Sequence, residues 1–216
     1  MKRTLLIAAL IFTAFLSKKA FAGGPQYEQA MKSSVSQLDS AIAPEQFIQL
    51  ANTFERIAGA ESKEWLPDYY AAYCYVLAGF TQHKDKKSID DYLDKAESLI
   101  NKADALAPNN AEIYAVKGFI DQGRIMVDPA TRGKKYGTLA SQQFKTAEKI
   151  DSLNPRPYFL EGQGLFHTPK MFGGGKEKAK PVLEKAVVEY HVFKPASDFA
   201  PHWGKKMADD LLKQCE

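Results

Sequence analysis

The chain has 216 residues with 29 Lys and Arg against 26 Asp and Glu. Four of those bases, Lys2, Arg3, Lys18 and Lys19, fall in the first 22 residues, which carry no acid. The other 194 residues hold 25 bases against 26 acids, so the electrostatic footprint of a nucleic-acid-binding protein is missing, while the length suffices for one domain with a real core.

In chain order, the first element is a leader. Two basic residues precede the apolar run "LLIAALIFTAFL", and small residues stand two apart in "AFA" at Ala20 to Ala22. This pattern predicts a secretory signal over residues 1–22, cleaved after Ala22, and a periplasmic or secreted product. A twelve-residue helix rises only about 18 Å, too little for about 30 Å of hydrocarbon, so no membrane span is expected. An exported chain can hold disulfides, but Cys74 lies within the apolar "YYAAYCYVLAGF" and Cys215 is penultimate, so a bridge between them is not expected, while their oxidation state is left open.

The remainder is expected to be all-α, because it repeats at helical spacing. A tyrosine followed four residues later by a small residue recurs at Tyr70 and Cys74, Tyr114 and Gly118, and Tyr158 and Gly162, each 44 residues apart. A second half-motif follows each: alanine, a large apolar residue at +4 and alanine at +7, beginning at Ala96, Ala140 and Ala179. Positions i, i+4 and i+7 share one helix face, so small residues there bring two helices close and the large one fills the space between them. "LANTFERIA", with "YEQAMKSSVSQL" before it, reads as a weaker first copy. One domain, 23–216, follows, with helix pairs over about 26–62, 65–108, 109–153 and 154–192 and a capping helix over 200–215.

This pattern resembles the tetratricopeptide repeat, whose first helix carries an aromatic and a small residue and whose second carries alanine, a bulky residue and alanine. The resemblance implies an α-solenoid. The 44-residue period exceeds the family's usual 34, and the surplus is expected as extended loops within each pair, in "TQHKDKKSID", "DPATRGKKYG" and "HTPKMFGGGK". The resemblance also implies a concave groove lined by the first helices. Carried over in register, the groove positions are Asp68, Tyr75, Glu112, Phe119, Gln122, Arg156, Phe159, Gln163 and Phe166. Tyr70, Tyr114 and Tyr158 are expected in the core. A groove with aromatics and a few charges suits a protein or peptide partner. The alternative is a small-molecule-binding accessory subunit of an envelope transport system, with a closed pocket lined by Arg156 and the groove aromatics.

The glycine run "FGGGK" is not a phosphate loop: Lys176 is followed by Glu177, the first glycine of that motif is missing, and a helix precedes it. It reads as a tight turn, with Met171 and Phe172 tucked beneath. His83, His167, His191 and His202 show no metal-ligand spacing, and no nucleophile motif occurs. No enzyme activity, cofactor or metal is expected.

Overall fold

The computed structural model describes residues 23–82 and 85–216; the predicted signal and His83 lie outside the described residues. The fold is all-α. Among the described residues there are nine α-helices: α1 (Pro25–Leu38), α2 (Pro44–Ala60), α3 (Trp65–Thr81), α4 (Lys86–Leu106), α5 (Ala111–Val127), α6 (Pro129–Ile150), α7 (Pro155–His167), α8 (Lys176–Val192) and α9 (Lys205–Lys213). Each packs on its neighbours in sequence, and α3 against α5 and α5 against α7 form a second set of contacts. The result is a stack of helix pairs in which α3, α5 and α7 form one layer.

Local chemistry sets the helix starts. The side chains of Asp85, Asn110, Asp128 and Asn154 accept hydrogen bonds from the first-turn amides of α4, α5, α6 and α7. Proline at the first position of α1, α2, α6 and α7 needs no amide partner there and supplies a helical φ.

Close approach within each pair follows from the repeated small residues. A Cβ on Gly118 would stand 2.3 Å from the Phe144 ring, and one on Gly162 would stand 2.7 Å from the Leu183 side chain. The bare backbone of α5 and of α7 is therefore the seat for the large residue of α6 and of α8. The flanking alanines Ala96, Ala103, Ala140, Ala147, Ala179 and Ala186 are all buried. Ala147→Trp is expected to lower the unfolding free energy by about 3 kcal/mol or more, because no rotamer fits an indole into that contact. A thermal melt matching the wild type would show that the contact is not tight.

Three expectations need correction. The surplus of the 44-residue period is mostly helix rather than loop. α4 has 21 residues and α6 has 22, and Asp128 alone separates α5 from α6. With Asp128 capping and Pro129 following it, "PATRGKKYG" is helical despite Gly133 and Gly137. Of the tyrosines expected in the core only Tyr70 is buried; Tyr114 and Tyr158 are half-buried, and the Tyr158 hydroxyl donates to the Ser152 carbonyl. The expected cap is shorter, since α9 begins at Lys205 and residues 193–204 form an irregular strap. Both cysteines are free, Cys74 deep in the core.

The glycine run is a turn, as expected. Gly173 and Gly175 have φ of +88° and +102°, and a Cβ on Gly174 would lie 2.3 Å from the Thr168 carbonyl oxygen. Met171 and Phe172, however, are not tucked beneath it; they are 83% and 72% exposed.

Candidate functional site

The strap, residues 193–204, lies against side chains of α1, α3 and α7. The Tyr70 hydroxyl on α3 donates to the Phe199 carbonyl at 2.9 Å, and the Phe199 ring meets Tyr27 of α1 edge-on at 5.8 Å. Trp203 stacks on Tyr73 with centroids 4.4 Å apart and planes 16° apart, and its indole N–H donates to the Tyr69 hydroxyl at 3.0 Å. Tyr190 of α8 donates to the Trp203 carbonyl at 3.0 Å. Gly204 then turns into α9 with φ +104°, where a Cβ would sit 2.0 Å from the Tyr190 hydroxyl oxygen. Only glycine fits there.

Beneath the strap lies a buried ion pair. The Arg156 side chain is fully buried, and its Nε and one Nη donate to the two carboxylate oxygens of Glu112, a fork-to-fork pair joining α7 to α5. Glu112 also accepts from Asn154 Nδ2 at 2.7 Å and from the Tyr69 hydroxyl at 3.2 Å. The guanidinium stands under the Phe193 ring at 4.5 Å and near Trp203 at 5.6 Å, while its Nη1 has no hydrogen-bond partner. Burial alone would lower the arginine pKa; the charge and hydrogen bonds of Glu112 outweigh it and leave the pKa raised. Arg156 therefore stays charged.

Beside the strap opens an apolar cavity of about 410 Å³. Val35 and Leu38 of α1, Phe47 of α2, and Tyr70, Tyr73 and Leu77 of α3 line one side. Trp203, Gly204 and Met207 line the other, and His202, Lys205, Lys206 and Asp39 also border it. The volume falls within the usual range for small-molecule sites, and an apolar interior with a few polar groups is their usual composition. His202 is already engaged: Nδ1 lies 2.9 Å from the Ala200 carbonyl oxygen and Nε2 3.1 Å from the Asp39 carboxylate. Burial raises the Tyr73 phenol well above its ordinary pKa, so it is neutral. Lys206 pairs with Asp210, and among the described residues Lys205 has no ion-pair partner. A second hollow of about 340 Å³, at the turns before α5 and α7, is lined by Glu112 and Asp151 and carries no base. Among the described residues no group of three or more His, Cys, Asp or Glu could hold a metal ion, and no helix is long and apolar enough to cross a membrane.

Neither a family model nor a curated protein sequence matches the chain. A solved structure does. The HusA haemophore from Porphyromonas gingivalis is 36% identical, with the match covering 91% of this chain and 96% of that one at a TM-score of 0.80. The chain belongs to the family of this haemophore.

Kinship with a haemophore overturns the reading as a scaffold for a protein or peptide partner. The packing fits this correction: the strap covers Arg156, and other expected groove residues are engaged between helices rather than open to a peptide. Several residues assigned to the groove are structural instead. Tyr75 points to the second helix of the preceding pair, where its hydroxyl donates to Glu55 at 2.9 Å. Phe119 is buried and stacked on Phe80 at 4.6 Å, and Phe159 is buried. Asp68 is buried, which raises its carboxyl pKa. Gln122 donates to the Leu160 carbonyl at 2.8 Å, tying α5 to α7. Gln163 is half-buried, its Oε1 buried without a hydrogen-bond partner. Phe166 is half-buried beneath Lys176, whose Nζ is 5.7 Å from the ring centroid. Glu112 and Arg156 do come together, but with each other.

None of the nine lines the 410 Å³ cavity. The lining residues Val35, Phe47, Tyr73 and Trp203 come from the weak first copy, from a position beside the repeated tyrosine, and from a segment outside the repeat. The signal available for them was "PHWG", a tryptophan between a proline and a glycine, in a stretch with no helical periodicity.

Proposed function

We propose that the chain captures haem, or a porphyrin like it, in the cavity between α1, α3 and the strap. The observation that carries this reading is the apolar cavity walled by the Tyr73–Trp203 stack, in a chain 36% identical to a haemophore. A planar macrocycle gains by covering that apolar wall. Its propionates would point to Lys205 and Lys206 at the rim, where charge-assisted hydrogen bonds favour carboxylates. The reading is of an exported carrier rather than an enzyme, its export resting on the leader pattern of residues 1–22. Repeated ligand uptake and release suits a surface that makes no covalent bond.

Both ring nitrogens of His202 face oxygen acceptors, the Tyr70 hydroxyl is spent on the Phe199 carbonyl, and the Tyr73 ring lies stacked on Trp203. The macrocycle is therefore held by its faces and carboxylates rather than through its iron. Iron-free protoporphyrin is expected to bind within about threefold of haem in fluorescence-quenching or absorbance titrations, a difference under about 1 kcal/mol. Met207→Leu, which keeps the shape and removes the sulphur, is expected to leave affinity unchanged. Ala41→Trp places an indole in the cavity from its half-buried rim and is expected to weaken haem binding about tenfold or more while the thermal melt is preserved. Undiminished haem affinity in the folded Ala41→Trp protein would move the site elsewhere.

A further inference from the structure

The turn between α7 and α8 presents Met171 and Phe172 side by side on a short 3-10 turn, 83% and 72% exposed. The backbone beneath them is cinched to α7. The Gly175 amide donates to the Leu165 carbonyl at 2.8 Å, the Phe172 amide to Pro169 at 2.9 Å, and Gly174 lies too close to the Thr168 carbonyl to admit a Cβ. The two side chains thus project into solvent from a hydrogen-bonded turn. Along the chain they are flanked by Lys170, Lys176, Lys178 and Lys180 against a single acid, Glu177, which pairs with Lys170 at 2.8 Å. This local excess of positive charge occurs in a chain that is nearly neutral beyond its first 22 residues.

We infer that this turn is a membrane-surface anchor: Met171 and Phe172 insert among the acyl chains of an anionic lipid surface and the lysines meet its headgroups. An apolar tip flanked by lysines is the combination that binds at a bilayer interface, where apolar burial and attraction to anionic lipid add. A protein partner would be recognised by a shaped, centrally buried patch with few charges. Here two long side chains project from a turn, with charge of one sign beside them. None of these residues lines the haem cavity, so the inference stands apart from the proposed function.

The test is sedimentation with vesicles of phosphatidylglycerol in phosphatidylethanolamine, beside vesicles of phosphatidylcholine alone. The protein is expected to sediment with the anionic vesicles, only weakly with the neutral ones, and less as salt rises. The Met171→Ser/Phe172→Ser variant is expected to lose about tenfold in vesicle affinity. Its thermal melt and haem titration should match the wild type, because both side chains are already in water. Lys176→Glu/Lys178→Glu should lose binding at low salt. Failure of the wild type to sediment with anionic vesicles, or equal sedimentation of the Met171→Ser/Phe172→Ser variant, would overturn the inference; in either case the exposed pair would have to be read as a contact for protein.

Discussion

Glu112→Ala is expected to lower the unfolding free energy by about 3–5 kcal/mol, the usual cost of removing one partner of a buried ion pair. The magnitude follows from what remains. Arg156 is fully buried and its Nη1 already lacks a hydrogen-bond partner. Without the carboxylate, the buried guanidinium loses its counter-ion and is left against the faces of Phe193 and Trp203, and Asn154 and Tyr69 lose their acceptor. Chemical denaturation followed by circular dichroism measures the loss. Replacing both partners, Glu112→Leu with Arg156→Met, is expected to recover most of it, since apolar residues of similar volume carry no desolvation cost. A double variant no more stable than Glu112→Ala would mean that the site needs its charges for another reason.

Trp203→Ala is the second large effect, on stability and on capture together. Truncating a packed tryptophan costs about 3–5 kcal/mol in a core; Trp203 is half-buried, so the lower end applies. It removes the stack on Tyr73, the hydrogen bond to Tyr69 and one wall of the cavity at once. Haem affinity is expected to fall more than tenfold, and the strap should loosen, so that limited trypsin digestion cuts at the exposed Lys194 sooner than in the wild type. Trp203→Phe keeps an aromatic on Tyr73 and loses the N–H donor and part of the ring area, so it costs less than the alanine variant, about 1 kcal/mol of it from the hydrogen bond. If Trp203→Ala binds haem as well as Trp203→Phe does, the strap is not part of the site.

These two positions lay differently open to reading from the sequence. Arg156 and Glu112 stand 44 residues apart in register, so the repeat brings them to equivalent positions on neighbouring helices of one layer. Sequence alone assigned both to a partner, because it could not show that each was the other's counter-ion. Trp203 lies outside the repeat and was assigned to a helix that begins two residues later.

By itself the sequence determined the all-α class and the way the repeated pairs close. Those depend on residues within about fifty positions of each other: small residues on one helix facing a large one on the next. Such local regularities leave a periodic trace, and Gly118 against Phe144 or Gly162 against Leu183 could be read from it. Only the tertiary structure decided what lies along the layer of first helices. The contacts that place the strap join Tyr70 to Phe199, 129 residues apart, and Tyr69 to Trp203, 134 apart. An irregular segment has no period, and the surface it covers is aromatic whether it meets a peptide, a porphyrin or its own chain. Which of these it meets is settled by the path of the backbone after α8, where Gly204 and the hydroxyl of Tyr190 leave room for one course.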